Sequence, residues 1–66
     1  MPAITIYTTG FCPYCFHAKK LLDSKGAAYD EIDVNKVPGA RGEMMQRANG
    51  GHTVPQIFIG ERHVGG

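Results

Sequence analysis

Residues 4–26 read ITIYTTGFCPYCFHAKKLLDSKG, and this stretch decides the fold. Ile4 and Ile6 alternate with Thr5 and Tyr7, a period-two pattern of β-forming residues that runs into the breaker Gly10, so a first strand is predicted over Ile4 to Thr8. From Pro13 to Lys25 the spacing changes. Cys15, Ala18, Leu21 and Leu22 recur at helical intervals with Lys19, Lys20 and Asp23 between them, which predicts a helix. Proline is tolerated at the first helical position because its missing N–H would have no intrahelical partner, and Gly26 can take the left-handed conformation just past the end. The two cysteines therefore stand where the loop after the strand enters the helix, Cys12 at the helix N-terminus and Cys15 one turn further on.

Working outward, Ala28 to Val34 holds the β-formers Tyr29, Ile32 and Val34 among Asp30, Glu31 and Asp33, and reads as a second strand. Ala40, Met44, Met45 and Ala48 mark a second helix that ends before Gly50, with Gly39 and Gly42 weakening its start. Val54 to Ile59 is a nearly continuous apolar run, as expected of a strand covered on both faces. Gly60-Glu61 then makes a two-residue turn into a last strand over Arg62 to Val64. The order β-α-β-α-β-β predicts an α/β fold: a four-stranded mixed sheet flanked by helices, with a parallel crossover unit first and an antiparallel hairpin last.

Sixty-six residues suffice for a single domain over 1–66 and exclude a second. Seven Lys plus Arg nearly balance six Asp plus Glu, and they are scattered, so neither a nucleic-acid surface nor a membrane surface is expected. The apolar stretches are too short for a bilayer span, and the first residues lack the pattern of a secretory signal; a soluble, cytoplasmic protein is expected. Thiols are kept reduced in that compartment, so a close cysteine pair points to redox chemistry or metal binding before structural cross-linking.

Unpaired N–H groups and the positive end of the helix dipole favour a negative sulfur at Cys12, and thiolate is the form that attacks disulfides. Cys12 is therefore the candidate nucleophile. Its thiolate is expected to accept hydrogen bonds from the N–H groups of Tyr14 and Cys15 or to lie near a cation. Cys15, close and less exposed, is the candidate resolving thiol. A zinc site would need two further ligands, and His17, His52 and His63, the available candidates, do not match zinc-ligand spacing, so no metal is expected. These histidines read as solvent-exposed polar residues, Met44 and Met45 as core filler and surface, and Lys19-Lys20 as a solvated helix face.

Three landmarks, in this order and at this spacing, resemble the glutaredoxin family and its bacterial dithiol members above all. They are Cys12-Pro13-Tyr14-Cys15 after a first strand, Thr53-Val54-Pro55-Gln56-Ile57-Phe58-Ile59, and the closing His63-Val64-Gly65-Gly66. The resemblance covers essentially the whole chain and implies a thioredoxin-like fold. It implies a glutathione-dependent thiol–disulfide oxidoreductase, with Cys12 and Cys15 as the redox-active pair and glutathione bound by Tyr14, Thr53, Val54 and Pro55. The Val54-Pro55 bond is expected to be cis, with the Val54 main chain free to pair with the cysteine of glutathione.

By the same resemblance no cofactor is bound, glutathione is the co-substrate, and glutathionylated or disulfide-containing proteins are the partners. Glutathione reductase and NADPH would restore the glutathione. Two rival functions are an iron–sulfur scaffold or carrier, disfavoured by Pro13, and a non-catalytic binding module with an inert cysteine pair.

Many relatives carry a Lys shortly before the first Cys, where this chain has Thr8, Thr9 and Gly10. The family also continues past Gly-Gly into a polar segment and a third helix, so the chain reads as C-terminally truncated. Weaker glutathione binding and lower stability than in a longer relative are expected, for a monomer or for a dimer in which a partner fills the gap.

Overall fold

The computed structural model describes residues 3–65, and Gly66 of the closing motif lies outside them. Strand β1 spans Ile4–Thr8, helix α1 Pro13–Ser24, strand β2 Asp30–Asp33, helix α2 Ala40–Arg47, strand β3 Gln56–Ile59 and strand β4 Arg62–Gly65. They form one four-stranded sheet in the order β2-β1-β3-β4. β1 pairs with β2 in parallel and with β3 antiparallel, and β3 pairs antiparallel with β4, so the sheet is mixed as expected. Among the described residues no helix is long and apolar enough to cross a membrane.

The elements begin and end where local chemistry dictates. Pro13 opens α1, and Gly26 beyond its C-cap Lys25 has φ +68°. Gly39 does more than weaken α2: it is the N-cap, with φ +78°, a conformation that a residue with a Cβ rarely adopts. Gly60, with φ +60°, opens the two-residue loop that joins Ile59 to its pairing partner Arg62.

Two strands are shorter than their sequence pattern. β2 excludes Ala28 and Tyr29, and Val34 lies just past it while still donating its N–H to the Thr8 carbonyl at 2.9 Å. β3 excludes Val54 and Pro55, since Pro55 has no N–H for a sheet ladder.

Residues paired across strands share a face. On one face Tyr7 and Phe58, with Ile32 packed against them, meet Ala40 and Met44 of α2, its C-cap Ala48 and Val34; this is the closed core. Tyr7 and Phe58 meet edge to face with ring centroids 5.8 Å apart. The other face carries Ile4, Ile6, Thr8 and Ile57 and is partly roofed by α1, whose Ala18 lines a cavity together with Ile57. β3 is therefore covered on one face and only half covered on the other: Gln56 and Phe58 are buried, Ile57 is half-buried and Ile59 is 38% exposed.

Candidate active site

Cys12 is the N-cap of α1, in extended backbone geometry, and its sulfur accepts the Cys15 N–H at 3.1 Å. Of the two amides expected to reach this sulfur, the Cys15 amide makes the capping bond. The lysines of α1 are engaged elsewhere. Lys19 pairs with Glu31 at 2.9 Å, so it is no freely solvated charge, and the Lys20 ammonium lies 5.7 Å from the centre of the Phe16 ring. A charge on Cys12 is thus supported by the helix terminus, an effect of about 0.3 to 1 kcal/mol and at most about 2 kcal/mol, and by the hydrogen bond from Cys15.

Cys12 and Cys15 are joined as a disulfide, with Cα atoms 5.2 Å apart. Cys12 is half-buried, whereas Cys15 is 1% exposed beneath the helix. One sulfur of the pair is thus reachable from solvent and the other is enclosed.

The loop before β3 closes over the pair. The Val54-Pro55 bond is cis, as the resemblance implies, and the Val54 carbonyl oxygen lies 3.9 Å from the Cys12 sulfur. In the thiol form this sulfur can donate a proton toward that oxygen; in the disulfide the contact is one of proximity.

Of the residues singled out by sequence, Tyr14, Val54 and Pro55 come together, lining a cavity of about 420 Å³ with Ala18 and Ile57. Tyr14 is 76% exposed, Val54 is half-buried and Pro55 is buried. Thr53 is exposed at the start of the same loop, outside that lining, and accepts a long hydrogen bond from the Gln56 carboxamide at 3.4 Å.

A second cavity of about 300 Å³ lies at Cys12 itself, lined by Gly10, Phe11, Pro13, Phe16 and His17. Phe11 is 94% and Phe16 60% exposed, an apolar surface flanking the sulfur that the sequence reading passed over. Large apolar residues on both sides of the cysteine pair were the available signal.

Around the site, the Thr8 hydroxyl and the Lys19 ammonium both donate to Glu31, tying β1, α1 and β2 together. The bond from Lys19 first, then that from Thr8, holds the Glu31 carboxyl below its ordinary value. His63, read as a solvated polar residue, is partly exposed yet fixed: its ring stacks on Phe58 with centroids 4.8 Å apart, and its Nε2 lies 2.6 Å from the Gln56 Oε1. Among the described residues no three or more His, Cys, Asp or Glu side chains gather as metal ligands.

Residues 4–64 match the sequence model of the Glutaredoxin family. Over its full length the chain is 53% identical to the glutaredoxin of Pseudomonas aeruginosa and spans 77% of that protein. The solution structure of glutaredoxin from Brucella melitensis resembles it with a TM-score of 0.80 at 53% identity, covering all of this chain and 71% of that one. The crystal structure of a buckwheat glutaredoxin–glutathione complex does so with a TM-score of 0.85 at 32% identity, covering 98% of this chain and 61% of that one. The four-stranded mixed sheet with its two helices is a thioredoxin-like fold.

Proposed function

The chain belongs to the glutaredoxin family of thiol–disulfide oxidoreductases, and on that premise we propose that it draws its electrons from glutathione and reduces glutathionylated and disulfide-containing proteins. Cys12 thiolate attacks the glutathione sulfur of a mixed disulfide. A Cys12–glutathione disulfide forms, and the protein sulfur leaves as a thiolate that takes up a proton. A second glutathione thiolate attacks the bound glutathione sulfur, which yields glutathione disulfide and returns Cys12 as thiolate.

For a protein disulfide, Cys12 forms the mixed disulfide and Cys15 attacks the Cys12 sulfur. The reduced protein leaves and the Cys12–Cys15 disulfide of this structure forms. Two glutathiones then reopen it. Glutathione enters as a co-substrate, and no resident cofactor is required.

The observation that carries this reading is the placement of the Cys12 sulfur at the tip of α1, 3.9 Å from the Val54 carbonyl of the loop that faces it. That loop leaves main-chain groups of Val54 available to an extended peptide ligand, while Tyr14 and Pro55 flank the groove and Thr53 offers a hydroxyl at its edge. The buckwheat relative, solved as a glutathione complex, supports glutathione as the ligand here. Exposed Phe11 and Phe16 support protein-sized substrates, because they offer apolar area beside the reacting sulfur. The cycle needs a reduced glutathione pool such as the cytoplasm keeps, and the proposed site of action is therefore the cytoplasm.

Turnover of a glutathione mixed disulfide, coupled to glutathione reductase and NADPH, tests the proposal. Wild-type protein and Cys15→Ser turn over, Cys12→Ser does not, and Cys15→Ser loses activity on protein disulfides. Activity surviving in Cys12→Ser would overturn the assignment.

A further inference from the structure

We propose that His63 and Gln56 are positioning residues, a side-chain relay from β4 that fixes the Thr53 hydroxyl as a hydrogen-bond donor toward an acceptor oxygen of bound glutathione. The proposal rests on the glutathione reading above and assigns work to two residues outside the cysteine motif. Gln56 is 4% exposed, so both ends of its carboxamide need partners. Its Oε1 lies 2.6 Å from the His63 Nε2, and an amide oxygen can only accept, so that ring nitrogen carries the proton. Its Nε2 can only donate, and it reaches the Thr53 Oγ1 at 3.4 Å. A threonine hydroxyl that accepts on one side keeps its own proton for a bond on another. Thr53 is exposed, and the next residue, Val54, sets its carbonyl 3.9 Å from the Cys12 sulfur.

The surroundings hold this polarity in place. The His63 ring stacks on Phe58 with an interplanar angle of 23°, which fixes the direction of its N–H. At Gly51 a Cβ would come within 3.1 Å of both the Gln56 Nε2 and the Ala48 Cβ, so glycine leaves the room the carboxamide occupies beside the end of α2. With the carboxamide placed so, His63 carries its proton on Nε2; the reversed carboxamide would require the Nδ1–H tautomer and would turn the Thr53 hydroxyl into the donor toward Gln56.

The test uses His63→Phe, which keeps a ring on Phe58 and removes the N–H, and His63→Gln, which returns an N–H donor. His63→Phe should raise KM for a glutathione mixed disulfide about two- to tenfold, the range of one hydrogen bond, with kcat and the alkylation rate of Cys12 unchanged. His63→Gln should restore KM. In a Thr53→Ala background, His63→Phe should raise KM no further, since the hydroxyl it orients is gone.

Without glutathione, His63→Phe should shift the ¹H–¹⁵N resonances of the Gln56 carboxamide and of the Thr53 amide, and His63→Gln should shift them back. An unchanged KM, additive effects with Thr53→Ala, or unmoved Gln56 resonances would each overturn the relay. Should the wild-type protein turn over no glutathione mixed disulfide, the glutathione reading fails, and the resonances still decide whether the relay exists.

Discussion

At Tyr7 a single phenolic hydroxyl serves both an acid and a base of α2. It donates to the Glu43 carboxylate and accepts from the Arg47 guanidinium at 2.8 Å, while its ring forms part of the closed core. Burial first, and then the bond to Glu43, hold the phenol above its ordinary value against the opposing pull of Arg47. A phenol held higher in the folded than in the unfolded chain contributes fully below the unfolded value of about 10 and loses that contribution as pH rises through the folded value. Tyr7→Phe should therefore cost about 0.5–1.5 kcal/mol at pH 7, because Glu43 and Arg47 are exposed enough to be rehydrated. The gap between variant and wild type should close above about pH 10. Urea midpoints across that range check both statements; a gap that stays constant to high pH would show that the hydroxyl does not titrate as described.

Among the elements, α1 has two jobs, one at its first turn and one midway along it. Its first turn presents the Cys12 sulfur, and further along Lys19 anchors it to Glu31 of β2, with Thr8 of β1 donating to the same carboxylate. The Glu31 side chain is 38% exposed, so the tie to α1 stabilises the fold by less than about 1 kcal/mol after solvent screening. Its carboxyl is held below the unfolded value, so this stabilisation is present above about pH 4.5 and disappears as pH falls through the lower folded value. Glu31→Gln should show a small loss at pH 7 in low salt, a loss that shrinks as pH falls below about 4.5 and is absent in concentrated salt. An equal loss under all three conditions would mean packing, not charge, links the helix to the sheet.

The start of α1 was legible, because Pro13 acts through its own backbone, whereas the start of α2 was not, because Gly39 reads in sequence as a weakness and becomes the N-cap only through its positive φ. The Lys19 pairing was not legible either, since its partner lies 12 residues on in another strand. His63 stood between these cases. Once Gly60-Glu61 fixes a two-residue turn, Phe58 must pair with His63, and Gln56 falls diagonally next to it on the same face. The contact could have been read from the register, but its hydrogen-bond polarity needed the burial of Gln56.

The whole molecule is an uneven sandwich. One sheet face is closed by α2 over Tyr7 and Phe58, and Arg47 in the last turn of α2 lies 4.3 Å over the Phe58 ring while donating to the Gly60 carbonyl at 3.2 Å. The other face is covered near the cysteines and leaves Ile59 exposed, and Leu21 of α1 and Val64 of β4 are exposed as well. The apolar run from Val54 to Ile59 could not reveal this, because an apolar sequence states what can be buried and not which element packs against each face. What the whole fold does achieve is convergence: the loop after β1, the first turn of α1 and the loop before β3 meet at one sulfur, although Cys12 and Val54 are 42 residues apart. Chemistry at that meeting point requires Cys12 to ionise more readily in the folded protein than in the unfolded chain.

Alkylation of Cys12 by iodoacetamide as a function of pH, in Cys15→Ser protein so that one thiol remains, measures this directly. The midpoint should fall clearly below the value of about 8.5 for an unperturbed thiol and return to it when the protein is unfolded in urea. A midpoint that is the same in folded and unfolded protein would contradict the account.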